Sequence, residues 1–581
     1  MSEDIASLYR DRLAKEQGSV RKDWGGKISI ALAYPNYYRI GMSNLGFQLV
    51  YRLFNQKKNV VAERLFMPEG AELSFYLDTR KELLSLESQV PFQKFDLIAF
   101  SLSFENDYPN ILRMLELGKI PLLSDERNEF HPLVMAGGIT TFLNPEPLAI
   151  FFDFFLMGEA EAILDEFVDL FFDAKHTSRS RKEVLETLSR EGKSLYIPSL
   201  YRIEYKKNGT LKSMIPVESN LPEKITPARK SSSDSSVAKS TILAPETELA
   251  DRILIELGRG CGRSCRFCAA GYIYRPPRQH LESELTTCID ELMKDGASFG
   301  LLSAAVSDTP GIGELTDRIV KKGCRFSVSS LRADSLTEKL LLNLKAAGQK
   351  TVAIAPEAGS DKLRKVLNKH LSQAQIIEAV RLITKTKDFS LRLYFLIGLP
   401  QESRDDVVEI LTLVKSIKHH MIMESRARGR IGRIKLSINC FIPKPFTPFQ
   451  WFPLENKTTL KEKQKWLKKS FAREGGIKVN FDLPKWAYLQ ALLSLGDRRV
   501  GPILLRSHEM NGNLTKALRF SEINPDFFVY RPKGLKEILP WDFIDHGLDK
   551  NFLIQEYKRA LDGRESDVCP MGECKRCGVC T

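Results

Sequence analysis

Three cysteines lie close together in one segment, Cys261, Cys265 and Cys268, with the spacing C-x3-C-x2-C. Thiolates are the preferred protein ligands of iron–sulfur clusters, and three of them fill three corners of a [4Fe–4S] cube. The fourth iron is then free to bind a substrate or a cofactor. The alternative is a structural zinc site that lacks its fourth ligand. The spacing therefore predicts a [4Fe–4S] cluster with one open iron.

A second group of four cysteines follows near the carboxyl terminus, with the spacing C-x4-C-x2-C-x2-C: Cys569, Cys574, Cys577 and Cys580. Four thiolates can close a tetrahedral zinc site or hold an auxiliary [4Fe–4S] cluster, and a redox dithiol is the third alternative. This loop has few apolar residues, so we expect a metal to organise it. We also expect truncation after Asp562 to leave the first cluster intact.

The other three cysteines stand alone. Cys288 and Cys324 have the surroundings of small buried hydrophobic residues. Cys440 ends a predicted strand, where its thiol could point at an active site as a hydrogen-atom donor or methyl carrier. It is the single candidate for a catalytic side chain.

A barrel-like series of strands and helices must position the first cysteine group. Six strands alternate with helices, which predicts a partial (β/α)6 TIM barrel with its chemistry at the carboxyl ends of the strands. The first strand leads directly into the cysteine segment. The predicted strands are 253–257, 300–304, 325–329, 351–355, 392–397 and 435–441.

The amino-terminal part of the chain predicts a separate parallel sheet. Four apolar runs, at 27–33, 95–103, 132–135 and 153–157, alternate with helical stretches and end close to Gly or Asn. This pattern is typical of a Rossmann-like sheet, which binds ligands at its carboxyl edge. The chain has no G-x-G-x-x-G motif, so a dinucleotide is not indicated.

The fold class is therefore α/β, with four predicted regions. Residues 1–195 form the Rossmann-like domain, and residues 196–248 form a hairpin turning at Asn208-Gly209 and then a linker rich in Ser, Lys and Pro. Residues 249–455 form the partial barrel. Residues 456–581 form a mixed extension that ends in the four-cysteine tail.

Composition limits the class of protein and its partners. The 581 residues are 43% hydrophobic and 27% charged, which is ordinary globular composition and excludes a disordered, collagenous or coiled-coil chain. Lys and Arg outnumber Asp and Glu by 86 to 73, a net charge of +13 that favours polyanionic partners such as RNA. The basic stretches 426–435 and 457–469 are either solvated faces or RNA-phosphate surfaces.

We predict a cytoplasmic protein without a membrane span. The amino terminus is charged throughout, and the longest apolar run, 147–158, is short and contains Asp153. In a reducing compartment, clustered cysteines hold metals more often than they form disulfides.

The first cysteine segment resembles the radical S-adenosylmethionine (SAM) superfamily, whose signature is C-x3-C-x-φ-C with an aromatic residue at φ, here Phe267. The resemblance implies that SAM chelates the open iron through its amino and carboxylate groups. One electron from the cluster then cleaves SAM into methionine and a 5′-deoxyadenosyl radical. A reductase such as flavodoxin or ferredoxin would donate that electron, and Phe267 would lie near the adenine.

Further segments of the barrel resemble SAM-binding segments of this superfamily. The usual Gly-Gly-Glu-Pro type motif is absent from LLSAAVSDTP, where Ser303 and Ser307 are weak substitutes. The resemblance assigns ribose, carboxylate and adenine contacts to the strand ends that follow. The implied cofactor-binding residues are Phe267, Ser303, Ser329, Arg332, Glu357, Arg364, Ile397 and Gly398.

The wider segments CGRSCRFCAAGYIYRPPR and FIPKPFTPFQW, with the cysteine-rich tail, resemble one uncharacterised bacterial radical SAM subfamily that has an amino-terminal cobalamin (B12)-binding-like domain. The segment VMAGGITTFLNPEPLAIFFDFFLMGEAEA is similar to the Gly-Gly and Gly-Glu segments of such domains. The cobalamin-ligand motif D-x-H-x-x-G is absent, since residues 37–41 read YYRIG. Cobalamin binding stays open, and the alternative is a degenerate domain that packs on the barrel and shapes the substrate cleft.

The resulting prediction is a radical SAM enzyme that functionalises a C–H bond of a substrate, with RNA as a candidate. Bound cobalamin would favour methyl transfer to an unactivated carbon, and its absence would favour sulfur insertion of the methylthiolation type. The competing class is a non-catalytic iron–sulfur protein that binds RNA or the ribosome and does not cleave SAM.

Overall fold

The computed structural model describes residues 5–231, 234–572 and 574–580. Its amino-terminal domain is one sheet in the order β2-β1-β3-β4-β5-β6, parallel except for β6. The strands are β1 Ile28–Tyr34, β2 Val60–Phe66, β3 Leu97–Ser101, β4 Leu133–Gly137, β5 Phe154–Leu156 and β6 Leu195–Tyr196. The helices are α1 Ile5–Lys15, α2 Tyr38–Gly41, α3 Leu45–Gln56, α4 Ala71–Thr79, α5 Tyr108–Leu117, α6 Ala160–Thr177 and α7 Arg181–Glu191.

This strand order confirms the predicted Rossmann-like sheet. The first five strands follow the doubly wound order 2-1-3-4-5, in which ligands bind at the carboxyl edge. The strands are buried on both faces, which explains their continuous apolar runs.

Strand β2 was not predicted from the sequence, because two charged residues interrupt its apolar pattern. β2 has the sequence VVAERLF and is buried throughout. The guanidinium of Arg64 is fully buried, and it lies 2.6 Å from a carboxylate oxygen of Glu16 and 2.6 Å from one of Glu87. Buried charges that are paired in this way are tolerated inside a sheet.

The hairpin is confirmed, and the segment after it is packed onto both domains. Strands β7 Tyr201–Tyr205 and β8 Leu211–Pro216 are antiparallel and flank the Asn208-Gly209 turn. Ala228 pairs with Gly158 after β5, and a Cβ on Gly158 would lie 2.3 Å from the backbone of Ala228. Glycine at position 158 therefore allows the linker to cross the carboxyl edge of the amino-terminal sheet.

The barrel is an open arc of seven parallel strands. They form two sheets, in the orders β13-β12-β9 and β14-β15-β16-β17, and Leu331 donates a backbone hydrogen bond of 2.8 Å to Ala353 between the two sheets. Within the described residues the arc does not close. The strands are β9 Ile253–Glu256, β12 Ser298–Leu302, β13 Arg325–Val328, β14 Thr351–Glu357, β15 Ser390–Ile397, β16 Ile434–Cys440 and β17 Ile477–Phe481, and the short strands β10 Gly258–Arg259 and β11 Arg278–Gln279 pair beside β9.

The seventh strand corrects the predicted six-stranded barrel, which ended at residue 455. β17 pairs with β16 after the intervening helix, so the barrel continues into the segment assigned to the extension. The outer helices are α8 Glu282–Leu292, α9 Ile312–Lys321, α10 Glu338–Ala346, α11 Asp361–Val366, α12 Gln373–Thr386, α13 Arg404–Ser425 and α14 Lys457–Ala472. Ser372 and Ser403 begin α12 and α13 with capping boxes, which explains where those helices start.

Side-chain alternation separates the two faces of the arc. On β15, Leu391, Leu393, Phe395 and Ile397 are buried against the outer helices, while Arg392, Tyr394 and Leu396 face the concave side. We call this concave side the lumen. The same alternation on β16 turns Lys435, Ser437 and Asn439 into the lumen.

The carboxyl-terminal extension packs back on the amino-terminal domain. Asn144 donates hydrogen bonds to the carbonyls of Ser494 and Gly496, and Arg498 forms an ion pair of 3.0 Å with buried Glu146. The extension therefore joins the two domains. Its helices are α15 Pro484–Leu495, α16 Gly501–Glu509, α17 Leu514–Arg519, α18 Asp526–Val529 and α19 Lys550–Leu561.

Among the described helices, none is long and apolar enough to cross a membrane.

Candidate iron–sulfur and SAM site

The first cysteine group lies at the carboxyl end of β9, where barrel chemistry is expected. Burial raises the pKa of Cys268 to about 12, and the neighbouring Cys265 and Cys261 thiolates add to the shift. Thiols lose their protons when they bind metal ions, so these three are suited to an iron–sulfur cluster. Among the described residues no three His, Cys, Asp or Glu side chains enclose a single metal ion. A cubane does not require that, because each thiolate binds a different iron.

Two basic side chains stand beside these thiols. Lys369 is buried and lies 3.0 Å from the carboxylate of Glu357 at the end of β14. Burial raises the pKa of Cys261, and the positive charge of Arg332 opposes that shift. Lys369 was not predicted as a site residue, although it follows Glu357 by 12 residues in the chain. Only the fold brings Lys369 to Glu357 and to the cysteines.

An ion-pair network ties the cysteine segment to the next two strand ends. Arg263 donates two hydrogen bonds of 2.7 Å to Asp308, which follows β12, and one of 3.1 Å to Asp334, which follows β13. Arg332 also binds Asp334, at 2.9 Å. Arg332 therefore lies at the cysteine end of the barrel as predicted, but it is engaged by Asp334.

Phe267 lies against an apolar wall at the same end of the lumen. It packs with Leu396 and Phe452 against buried Leu363 and Val366. Ile397, the predicted adenine contact, is instead buried against the outer helices. This position contradicts the predicted adenine contact. Side chains alternate along a strand, so Leu396 lies on the lumen face of β15, and Leu396 packs on the same apolar cluster as Phe267.

The predicted SAM contact of Arg364 is corrected, and Gly398 has a structural role. Arg364 is fully buried, and its guanidinium donates to the carbonyls of Leu371, Ala358 and Gly359, so it has no group left for a carboxylate of SAM. Gly398 has a φ of +79°, and a Cβ there would meet Leu460, on an outer helix. The close packing of α14 against this position therefore explains why residue 398 is glycine.

The three predicted serines have different positions. Ser303 lies at the end of β12, where its hydroxyl accepts a hydrogen bond from the backbone of Ala305. Ser307 accepts a hydrogen bond from the backbone of Arg332, and so it supports the loop after β13. Ser329 is exposed and lines a large cavity in the lumen.

The catalytic assignment of Cys440 is wrong. Its side chain is buried on the outer face of β16, where its sulfur lies 3.8 Å from the amide of Gln464 on α14. The thiol therefore points away from the lumen. Burial raises its pKa to about 12, so the group is an unreactive thiol.

The four-cysteine tail lies directly on the first cysteine segment. The backbone N–H of Cys569 donates a hydrogen bond of 2.7 Å to the carbonyl of Gly262, and a Cβ on Gly262 would lie 3.4 Å from the Cys569 carbonyl. The Cys577 carbonyl accepts a hydrogen bond from Asp549 at the start of α19, and Cys574 pairs with Cys580 as an isolated bridge. The tail is thus docked at the cysteine end of the barrel.

A cavity of about 370 Å³ lies between the amino-terminal sheet and the barrel. It opens at the carboxyl edge of the sheet, where a doubly wound fold binds ligands. Glu159 borders it and forms ion pairs with Arg259 and Arg278, which hold its pKa below the usual range despite burial. Its other lining residues include Leu49, Phe54, Ser101, Gly137, Leu164 and Tyr274.

Comparison with known proteins identifies both domains. Residues 46–198 match the family model described as radical SAM proteins, N-terminal, and residues 255–414 match that of the radical SAM superfamily. Across 532 residues the chain is 29% identical to an uncharacterized protein from Methanocaldococcus jannaschii, covering 90% of this chain and 99% of that protein.

Two more distant similarities cover part of the chain. Over 177 residues the chain is 24% identical to the ribosomal protein uS12 methylthiotransferase RimO from Thermotoga maritima, covering 28% of this chain and 41% of that protein. The radical S-adenosylmethionine methyltransferase TsrM from Kitasatospora setae superposes with a TM-score of 0.43 at 13% identity, covering 70% of this chain and 72% of TsrM.

The matched barrel, with three cysteines after its first strand, defines an enzyme that binds a [4Fe–4S] cluster and SAM and performs SAM-cleaving radical chemistry. The chain belongs to the radical SAM superfamily. Cys261, Cys265 and Cys268 fit the cluster in number, residue type and position. An enzyme of this class needs an electron donor, and the alternative of a non-catalytic iron–sulfur protein is set aside.

Proposed function

We propose that this enzyme functionalises a C–H bond of a substrate held in the lumen, directly below the Phe267–Leu396 wall. The observation that carries the proposal is that Phe267 of the cysteine segment and Leu396 on the lumen face of β15 pack on one apolar cluster. When bound, the cluster supplies the electron that cleaves SAM into methionine and a 5′-deoxyadenosyl radical. The apolar wall then excludes water from the reacting carbon.

The chain's own residues hold the SAM end in place. The ion pair of Lys369 and Glu357 holds the loop after β14 against the carboxyl end of that strand. It also places Lys369 beside the thiols. The Arg263–Asp308–Asp334 network fixes the loops after β12 and β13. We propose that Glu357, whose φ is +66°, binds the ribose hydroxyls through the carboxylate oxygen that Lys369 does not occupy.

We propose cobalamin as the cofactor of the amino-terminal domain, with methyl transfer as the reaction. The 370 Å³ cavity supports this proposal, since it lies between the sheet edge and residues 256–274 of the first barrel loop. Its volume suits one arm of the cofactor and not the whole macrocycle. An uncharacterized methyltransferase from Pyrococcus horikoshii, 24% identical over 249 residues, agrees with this reaction class.

Methylthiolation is the second candidate, and the docked tail favours it. Four cysteines beside the catalytic segment can hold an auxiliary [4Fe–4S] cluster close to the first, or a zinc ion that orders the same loop. The methylthiotransferase RimO is similar to this chain over 177 residues, 28% of its length.

RNA remains our proposed macromolecular substrate, and flavodoxin or ferredoxin our proposed electron donor. The basic stretch 426–435 supports the first, because Arg426, Arg430 and Arg433 are exposed beside the start of β16. Arg428 is instead bonded to the carbonyls of Lys385 and Thr384. We further propose a cytoplasmic location, since all ten cysteines are unpaired and the proposed metal sites need reduced thiols.

Anaerobic reconstitution with iron, sulfide and hydroxocobalamin tests the proposal. We expect 5′-deoxyadenosine to form on addition of reductant, together with the absorbance band of protein-bound cobalamin. Formation of 5′-deoxyadenosine without retained cobalamin would contradict the methyl-transfer assignment and leave methylthiolation. Absence of 5′-deoxyadenosine would contradict both reactions.

A further inference from the structure

A large cavity occupies the half of the lumen farthest from the cysteines. Its volume is about 910 Å³. It is lined by the residues preceding β9, by the amino-terminal parts of β12, β14 and β15 with the loops preceding β12 and β14, and by the whole of β13 as far as Ser330. The cysteines, Phe267 and the tail all lie at the opposite, carboxyl-terminal end. Of the predicted cluster and SAM contacts, Ser329 alone lines this lower cavity.

The charge in this cavity is unbalanced and unpaired. Four of the five charged residues that line it are basic, namely Arg252, Arg325, Lys350 and Arg392, and the fifth is Asp251. Across the described parts of the chain, none of these four cationic groups has a hydrogen bond or ion pair with a carboxylate. At the cysteine end, by contrast, Arg263, Arg332 and Lys369 are all ion-paired.

Cations are also aligned across the lumen face of the second sheet. Arg392 on β15 is in register with Lys435 on β16, which is in register with Lys478 on β17. Neighbouring strands are about 4.8 Å apart, so these side chains emerge close enough to repel one another. The next row towards the cysteines contains the hydroxyl-bearing residues Tyr394 and Ser437.

We infer that this lower cavity binds the phosphate of a phosphate-ester substrate, and this inference rests on the proposed C–H functionalisation in the lumen. Clustered Arg and Lys side chains with adjacent hydroxyls are the donors that phosphate groups require. A multiply charged anion removes the repulsion within the row, whereas a single carboxylate would leave most of it.

The strand geometry sets the length of such a substrate. Arg392 and Leu396 are four residues apart on the same face of β15, a separation of about 13 Å at the usual rise. A phosphate held by Arg392 therefore places the reacting carbon a nucleotide's length away, beside Leu396 at the cysteine end of the lumen. The phosphate ester can belong to a small molecule or to one residue of an RNA chain, whose neighbouring phosphates would meet Arg430 and Arg433.

Equilibrium binding of pyrophosphate and of a short single-stranded RNA to the full-length protein tests this inference without any turnover. We expect affinity for pyrophosphate to fall with added salt. We also expect Arg392→Gln or Lys435→Gln to weaken it about ten-fold, the usual loss for a charged hydrogen bond. Arg404→Gln is the matched control, since Arg404 is exposed at the start of α13 on the outside of the barrel.

Equal binding by wild type and both lumen variants would overturn the inference, as would an equal loss in the Arg404→Gln control. If RNA binding falls in the same variants and pyrophosphate competes with RNA, the phosphate comes from RNA; if only pyrophosphate responds, it comes from a small molecule. Both of these results support the lumen site. SAM cleavage by the wild type is measured separately, so failure of the proposed function is distinguishable from failure of this site.

Discussion

The guanidinium of Arg266, between Cys265 and Cys268 in the chain, lies 3.1 Å from the carboxylate of Glu556 on helix α19. Arg266 is fully buried, and it also donates to the carbonyl of Arg564 and to the hydroxyl of Ser566. The catalytic cysteine segment is therefore fastened to the start of the tail. This contact reverses our expectation that truncation after Asp562 leaves the first cluster intact, because that truncation removes two partners of Arg266.

Glu556→Ala tests this connection. Removal of one partner leaves a buried charge without compensation, which costs about 3–5 kcal/mol. We expect a lower unfolding temperature and fewer than four irons bound at the first cluster after reconstitution. Glu338→Ala, at an exposed position at the start of α10, is the control and should change neither quantity. Full iron content in the Glu556→Ala protein would show that the cysteine segment does not depend on α19.

The tail cysteines make a distinct prediction about metal content. Cys577→Ser should remove the tail metal and leave the first cluster, since the substitution keeps the backbone hydrogen bond from Asp549 to the Cys577 carbonyl. A cubane in the tail predicts a fall from about eight to about four irons per chain, at four irons per cubane. Zinc in the tail predicts about four irons in both proteins and loss of one zinc. Elemental analysis after reconstitution separates the two, and unchanged iron and zinc would exclude a tail metal. Cys288→Ser, away from both groups, is the control.

The cavity beside the amino-terminal sheet predicts how cobalamin binding can be blocked. Ser101 ends β3 and lines the cavity, so Ser101→Phe should fill much of the space. We expect this variant to retain no cobalamin while still forming 5′-deoxyadenosine, because the cysteine segment is untouched. Ser189→Phe, on helix α7 outside this cavity, is the control. Retention of cobalamin at the wild-type level by Ser101→Phe would place the cofactor elsewhere.

His546 predicts an acid-sensitive contact between the two domains and the extension. Its ring Nε2–H donates to the carbonyl of Phe142, and the ring packs on Phe446. Burial lowers the pKa of His546 from 6.5 to about 4. The unfolded chain binds the extra proton first, so the free energy of unfolding falls as pH drops from 6.5 towards 4.

Each pKa unit corresponds to about 1.4 kcal/mol. The shift from 6.5 to about 4 therefore lowers the free energy of unfolding by about 3 kcal/mol by pH 4. Urea unfolding of wild type and His546→Gln across this range measures it. The difference in stability between the two proteins should shrink on acidification, because Gln has no proton to bind. A difference that is constant with pH would refute the assignment.

How far the sequence predicted the structure differs between elements. Strands with continuous apolar runs, such as β1 and β3, were predicted closely, since burial on both faces leaves a local signal. β2 was missed because Glu63 and Arg64 break that signal, and their compensating partners are distant in the chain. β17 was missed because its exposed Lys478 and Asn480 make it resemble a loop.

The ligands of the first cluster could be predicted because their spacing along the chain is enough to identify them. Residues whose role depends on the direction of a side chain could not. The three cysteines define their ligand set in eight consecutive residues. The choice between Leu396 and Ile397, and the direction of the Cys440 thiol, depend on which face of a strand meets the outer helices. Arg364 is of a residue type that often binds carboxylates, but its guanidinium donates its hydrogen bonds to nearby backbone carbonyls.

The most direct test of the account is the yield of 5′-deoxyadenosine from SAM under anaerobic reduction, compared between the wild type and the single variants Cys261→Ala, Cys265→Ala and Cys268→Ala. Loss of one thiolate opens the cluster, so we expect each of these variants to lose SAM cleavage. Cys440→Ala, whose thiol points away from the lumen, should cleave SAM as the wild type does. Undiminished 5′-deoxyadenosine from any of the three cluster variants would contradict the assignment.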